Sequence, residues 1–473
     1  MITRKALFLI GFVFAAPAFA QAGPAAVPAA AASAAPPASS APVAPSPADA
    51  GGLTGSVSDD SAWRDLGVAI PAFATDAVRP TAAAGGTTEA LGRGIAEVIT
   101  ADLRNNGLFK PTGPGELPAV AFAAVPAPVF ADWRARSAEM LVQGYVKAGD
   151  DGRLTVGCYL YDVGLGKELT RAGWVLSPGE WRRAAHKCAD VVYARLSGES
   201  PFFDSRIAYI AETGPKNARR KQLAIMDSDG ANHRFLTSGQ TIALTPRFSP
   251  DYKSLLYLSY LDGNPRIYVY DLASGRQHLV TASRNPTFSP RWSPDGQSIL
   301  YAMAIAGNTQ IYRVAATGGQ SVQLTDTPGI NIGGSYSPDG KRIVFESDRS
   351  GTQQVYVMNA DGSEQRRISF FGGRAATPEW SPRGDQIAFT HIAGNFRIGV
   401  MSPSGGDMKL LTDDWQDEAP TWAPNGRVIQ FFRTSQGATG KESVWQVDLT
   451  GRNLRKLPTP VDGSDPAWGP VLP

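Results

Sequence analysis

One turn, written again and again, constrains this chain more than any other feature of it. Its fullest form is Trp292-Ser293-Pro294-Asp295-Gly296. Variants stand at Phe248-Ser249-Pro250-Asp251, Tyr336-Ser337-Pro338-Asp339, Trp380-Ser381-Pro382-Arg383 and Trp422-Ala423-Pro424-Asn425, with a reduced copy at Trp468-Gly469-Pro470. The spacings between successive copies are 44, 44, 44, 42 and 46 residues. A fixed period in the forties means one small supersecondary unit copied many times, each copy burying its faces against its neighbours.

The copy running from Ser335 to Ser369 shows what the unit contains. Tyr336 ends a short strand, and Ser337-Pro338-Asp339-Gly340 is a turn in which Pro presets φ, Asp bonds the backbone and Gly accepts positive φ. Arg342–Glu346 and Gln354–Met358 read as two further strands, joined to a fourth at Gln365–Ser369 through the hairpin turn Asn359-Ala360-Asp361-Gly362. Arg366 and Arg367 suit an exposed outer edge. Four short antiparallel strands without helical periodicity are the content of a propeller blade. The second strand recurs six times, at Ile207, Leu255, Ile299, Ile343, Ile387 and Val428, so six blades are expected over 202–473. The first unit, opening at Arg206-Ile207-Ala208-Tyr209, lacks a Ser-Pro strand ahead of it, and the last is followed by a lone Trp468 strand. That strand is expected to complete the first blade, closing the ring and removing its free edges.

The segment ahead of the repeats reads differently. Arg4 and Lys5, the apolar run Ala6–Ala16 and Ala18-Phe19-Ala20 form a secretory signal peptide over 1–20. Residues 21–56 are an Ala/Pro-rich linker too poor in large apolar groups to offset its ordering entropy. Residues 57–198 should form a small α/β domain. Its expected strands are Gly67–Phe73, Glu139–Val146, Leu154–Val163 and Glu168–Leu176. The expected helices are Glu89–Asn106, with an apolar stripe at Leu91, Ile95, Val98, Ile99 and Leu103, and Ser177–Leu196, opened by a Ser177/Glu180 capping box with Pro178. The overall class is thus α+β and multidomain: an N-terminal α/β domain, then a six-bladed β-propeller closed by the C-terminal strand. Cys158 and Cys188, the only cysteines, both fall in the α/β domain; in an oxidising compartment they can bridge or remain as two buried thiols.

Net charge is +2 in 473 residues, which gives no electrostatic case for nucleic acid. The four histidines, His186, His233, His278 and His391, are scattered without metal-ligand spacing. No G-x-S-x-G elbow occurs, and the repeats run to the end of the sequence, so no hydrolase domain is expected after them. Gly437–Glu442 only loosely resembles a phosphate loop and reads as a hairpin. A non-enzymatic protein is therefore expected. The alternative, a polysaccharide lyase or hydrolase with its site in the central channel, would need a His or Tyr base there. One set of residues is aimed in common. The segments leading into the innermost strands converge on one mouth of the channel, at Thr245, Ser289, Gly333, Thr377, Ala419 and Asp465. One residue earlier stand Leu244, Phe288, Ile332, Ala376, Glu418 and Ser464. This rim is the default binding surface of such a fold. Its carboxylates Asp417, Glu418 and Asp465 could hold a hard cation such as Ca²⁺ in the channel; no other cofactor is expected.

The layout resembles the TolB family, the periplasmic propeller proteins of the Tol-Pal system, over residues 67–470. Ala101-Asp102-Leu103-Arg104-Asn105, Phe202–Tyr209, the Ser-Pro-Asp-Gly repeats, Asp417-Glu418-Ala419-Pro420 and Ala423-Pro424-Asn425-Gly426 carry the resemblance. It implies a periplasmic binding protein that holds the lipoprotein Pal at the propeller mouth and communicates with TolA, through its C-terminal domain, from the N-terminal region. Other outer-membrane proteins are further candidate partners. The role implied is support of outer-membrane integrity and of its constriction at cell division. Carried onto this sequence, the Pal-contacting positions fall on Pro286, Ser289 and Ile332, with Asp417 and Glu418 on the matching rim of a later blade. Val57–Trp63 is the candidate TolA-binding segment.

Overall fold

In the computed structural model, residues 65–215, 218–437 and 440–473 are described. The expected signal peptide, the linker and Val57–Trp63 lie outside them. Leu66–Ala69 (β1), Phe109–Thr112 (β2), Met140–Ala148 (β3), Leu154–Asp162 (β4) and Lys167–Leu176 (β5) form one sheet in the order β2-β1-β3-β4-β5. β1 runs parallel to β2 and β3, and β3, β4 and β5 follow as an antiparallel meander. Thr88–Asn105 (α1) and Trp181–Ser197 (α3) cover one face, and a short helix, Phe130–Arg134 (α2), packs through Trp133 with Ala69, Leu141 and Tyr161 on the other. The stripe expected on α1 is the buried one: Leu91, Ile95, Ile99 and Leu103 are each at most 1% exposed. The Ser177/Glu180 capping box forms as expected. It opens a 3-10 turn, Pro178–Glu180, that leads into α3. β2 and α2 were not anticipated. Four residues of β2 and five of α2 are too short to show a period, and β2 exists because it pairs in parallel with β1.

Cys158 on β4 and Cys188 on α3 are joined in a disulfide, their Cα atoms 5.9 Å apart. The bridge pins α3 to the sheet inside the apolar cluster of Val142, Val146, Val156, Leu160 and Val192. That cluster runs on without a break into Phe202, Phe203, Ile207 and Trp468 of the propeller. Asp190 on α3 fixes the connection: its carboxylate accepts the backbone N–H groups of Phe202, Phe203 and Asp204 at 2.8, 2.8 and 3.0 Å.

Among the described residues, the repeats build six four-stranded antiparallel sheets. Blade 1 combines the last strand, Asp462–Val471, with Ser205–Thr213 (β6), Arg220–Asp227 (β7) and Arg234–Phe235 (β8), in that order from the inside out. The register sets Trp468 opposite Ile207 and Ser464 opposite Ile210, so the chain closes its own ring as the repeat pattern required. The middle strands are buried nearly along their whole length because each sheet is packed on both faces. In blade 2, Leu255 and Tyr257 face blade 1, whereas Leu256 between them packs with Ile299 and Tyr301 of blade 3. Two apolar faces produce the unbroken hydrophobic runs of these strands instead of a strict alternation.

The recurring turns hold themselves. The Ser337 hydroxyl donates to Asp339 at 2.6 Å and accepts the N–H of Arg342 at 2.9 Å, and Ser249 does the same with Asp251 and Ser254 at 2.6 and 2.9 Å. In the copies that keep both residues, one Ser and one Asp thus close the turn and start the next strand with bonds made within five residues.

Candidate functional site: the propeller channel and its two mouths

The innermost strands of blades 2 to 6 are Ala243–Phe248, Thr287–Trp292, Asn331–Tyr336, Arg374–Trp380 and Asp417–Trp422; Asp462–Val471 is that of blade 1. Thr245, Ser289, Gly333, Thr377, Ala419 and Asp465 lie inside these strands and not in loops ahead of them. Each has positive φ, of 48°, 49°, 72°, 48°, 53° and 47° respectively, and each sits where the register to the second strand slips. All six blades therefore carry the same left-handed bulge at the same height. The bulge breaks the ladder and turns backbone groups out of it. Three of the freed N–H groups are taken up by the preceding blade: Thr245 donates to Asp465 at 3.2 Å, Thr377 to Glu346 at 3.0 Å and Ala419 to the Thr390 hydroxyl at 3.3 Å. Left-handed backbone costs a non-glycine residue about 1–2 kcal/mol, and five of the six are not glycine. A strain repeated around the ring persists only where the packing dictates it, and such positions cluster at binding sites.

The rim residues differ in what their side chains do. Ser289, Pro286, Glu418 and Asp465 are half-buried around the mouth, and Ile332 is 8% exposed. Asp417 is 0% exposed and is clamped by Arg433, whose Nε and Nη2 donate to its two oxygens at 2.6 and 2.9 Å. It is a structural partner inside blade 6, not a free carboxylate on the rim. Glu418 turns instead to Gln416, at 2.6 Å, and burial holds its carboxyl above the ordinary range. Burial does the same to Asp465. The carboxylates considered for a cation are thus engaged separately. They do not converge into one ligand set among the described residues, where the one grouping with metal-ligand proximity is His186, Asp227 and Asp229, elsewhere in the molecule.

Two residues beyond each bulge lies a second layer, Arg247, Arg291, Ser335, Glu379, Thr421 and Ala467, of which Ser335, Thr421 and Ala467 are buried. Arg291 Nη2 reaches Glu379 at 3.1 Å past the intervening blade 4, and the other oxygen of Glu379 accepts from the Thr421 hydroxyl and the Trp422 N–H at 2.9 and 3.2 Å. Burial and the neighbouring Arg247 pull the Arg291 guanidinium down to about 9, still cationic at neutral pH. This bridge crosses the channel below the rim. A charge at the same offset in three of the six repeats, Arg247, Arg291 and Glu379, is the signal in the sequence that points to it.

The two ends of the channel are unlike. The Ser-Pro turns face the α/β domain: Glu199 pairs with Arg383 and, at 3.4 Å, with Arg427, and Asn425 donates to the Tyr193 hydroxyl at 3.3 Å. At this end the ring aromatics Tyr336, Trp380, Trp422 and Trp468 and the prolines Pro338, Pro382, Pro424 and Pro470 line a cavity of about 350 Å³. The bulged rim is at the opposite end of the same strands and points away from the α/β domain. None of the four histidines occupies a position in either layer. His186 is buried at the domain boundary, His391 bonds the Gly372 carbonyl at 2.8 Å, and His278 lies exposed on the outer strand Gln277–Leu279. Gly440 and Lys441 of the loop that resembled a phosphate loop lead straight into the strand Glu442–Asp448, with no helix for a phosphate to cap.

Comparison with known proteins agrees with this architecture. Residues 193–472 match the family profile described as TolB beta propeller domain, and residues 64–169 that described as TolB amino-terminal domain. The Tol-Pal system protein TolB 1 of Novosphingobium aromaticivorans is 73% identical over 472 residues, covering all of both chains. The Tol-Pal system protein TolB of Sphingopyxis alaskensis is 68% identical over 407 residues, 86% of this chain and 89% of its own. The crystal structure of TolB from Acinetobacter baumannii superposes with a TM-score of 0.74 at 28% identity, over 86% of this chain and 97% of that one. These names place the relatives in the Tol-Pal system and assign them no catalytic activity. With both profiles in order along it and full-length relatives at this identity, the chain belongs to the TolB family of periplasmic β-propeller proteins of the Tol-Pal system.

Proposed function

We propose that this protein is a non-enzymatic binding component of the Tol-Pal system that holds the lipoprotein Pal at the bulged rim of its channel. In this reading it communicates with the C-terminal domain of TolA through its N-terminal region, supporting outer-membrane integrity and constriction at division. It reaches the periplasm through the signal peptide of residues 1–20. The observation that carries the reading is the ring of six left-handed bulges on the face turned away from the α/β domain. It gives a rigid, pre-formed mouth on the free end of the molecule, and rigid mouths bind at low ordering cost. Pro286, Ser289, Ile332, Glu418 and Asp465 border this mouth; Asp417 acts by holding Arg433 and the strand beneath it. A Pal domain seated there cannot present the same surface to peptidoglycan, so binding would shift Pal between two partners, and any coupling to the N-terminal region must be reciprocal.

The test is Pal affinity measured by calorimetry with Ser289→Arg and Glu418→Arg, both at half-buried rim positions. A loss of tenfold or more for each, with unchanged circular dichroism, is expected; wild-type affinity in both would remove the rim as the site. The channel-enzyme alternative needs a His or Tyr base in the channel, and neither residue type stands at the bulges or two residues beyond them.

A further inference from the structure

We propose that His186, Asp227 and Asp229 form a Zn²⁺ site that ties the α/β domain to the first propeller blade. His186 lies on α3; Asp227 ends β7, and Asp229 sits in the hairpin turn after it. One ligand atom from each lies within 4.8 Å of the other two. The histidine is 2% exposed, and its ring is fixed from behind: Nδ1 meets the buried Asp102 carboxylate at 2.7 Å. With the Nδ1 proton donated to Asp102, the Nε2 lone pair points forward.

Forward of it there is no donor. Nε2 is buried and has no hydrogen-bond partner, and Asp229 Oδ2 lies 3.8 Å from it. A neutral ring would set its Nε2 lone pair against that carboxylate oxygen, a repulsion relieved either by a proton on Nε2 or by a cation between the two, so zinc would bind in competition with that proton. The separation is too long for a hydrogen bond, but it suits two ligands of one ion. Zinc–ligand bonds of about 2.0–2.1 Å put tetrahedral neighbours roughly 3.4 Å apart and more open ones farther. A carboxylate behind the ligating histidine is the outer-shell arrangement that orients such a ring and raises its basicity. One imidazole nitrogen with two carboxylates favours zinc over Ca²⁺ or Mg²⁺, which prefer all-oxygen sets.

The surrounding cations set the conditions for binding. Arg182 pairs with Asp229, and Arg206 and Asn232 reach Asp227 at 3.3 and 2.6 Å. Zinc would take Asp229 from Arg182, which already lies over the Trp181 ring at 5.3 Å and can rest there. Both oxygens of Asp227 are already engaged, Oδ1 by Arg206 and Oδ2 by Asn232, so the metal would displace one of these two neighbours.

Equilibrium dialysis of the full chain against Zn²⁺, followed by metal quantification, tests the site. One equivalent is expected, falling at least tenfold in affinity in His186→Gln and in Asp229→Asn, and unchanged in His391→Gln. Wild-type protein that binds no stoichiometric zinc, or both site variants binding as wild type does, would overturn the proposal. If the variants misfold, Co²⁺ added to the wild-type chain decides instead. A visible d–d spectrum without thiolate charge-transfer bands is expected, because both cysteines are bridged, and its absence counts against the site.

Discussion

Trp468 lies opposite Ile207 in the register that joins the last strand of the chain to the first strand of the propeller, and its indole N–H donates to the Ser205 hydroxyl at 2.9 Å. Its ring also meets Phe202 edge-on, with centroids 5.9 Å apart. One side chain therefore joins ring closure to the segment that leaves the α/β domain. Trp468→Ala should cost about 3–5 kcal/mol in urea unfolding, and a loss below about 1 kcal/mol would show that closure does not depend on this contact.

The bulges predict an inversion of the ordinary glycine rule. Gly in a strand interior normally costs about 0.5–1 kcal/mol relative to Ala. At Ala419, held at φ 53°, Ala419→Gly should be neutral or stabilising, whereas Ala388→Gly in the adjacent strand Ile387–Ala393 should destabilise. Conversely, Gly333→Ala should lose about 1 kcal/mol from backbone alone, since a Cβ there would meet nothing nearer than Pro378 Cδ at 3.9 Å. Denaturant midpoints of the three variants decide it.

Asp417 and Arg433 form a closed pair inside blade 6, so removing one member strands the other. Asp417→Ala should cost ~3 kcal/mol, at the lower end for a broken buried pair because Arg433 keeps Asp414 at 2.7 Å. Asp417→Asn should cost less. If Asp417→Ala left stability intact but abolished Pal binding, the residue would belong to the binding surface after all.

Glu346 gives the pH dependence. Burial pushes its carboxyl from the ordinary 4.5 up to about 7, against the hydrogen bonds from the Thr377 N–H and Gln353. Below pH 4.5 both folded and unfolded chains carry the proton, and this stabilising contribution is fully present. Between 4.5 and 7 the unfolded chain releases the proton while the folded chain keeps it, so the contribution is lost as pH rises through the folded value. Glu346→Gln, which cannot ionise, should lack this component: thermal scans at pH 5 and pH 8 should show a smaller fall in Tm than in wild type. Equal falls would mean that the carboxyl titrates normally.

The readable part of this chain was the part made of local bonds. Ser337, Asp339 and Arg342 close their turn within five residues, so the motif carries its own structure, and repeating it fixed the number of strands, the number of blades and the unpaired first and last strands that had to meet. The Ser177/Glu180 cap and the α1 stripe were legible for the same reason. Tertiary structure decided whatever depends on residues far apart in sequence. The Cys158–Cys188 bridge spans 30 residues, the His186–Asp102 contact 84 and the Arg291–Glu379 bridge 88. A repeat states which positions face the channel, but not which charge on one blade finds its opposite two blades away, because that pairing is set by the curvature of the closed ring. The same limit made Asp417 look like a rim carboxylate: its place in the pattern was right, and only the fold showed Arg433 already holding it.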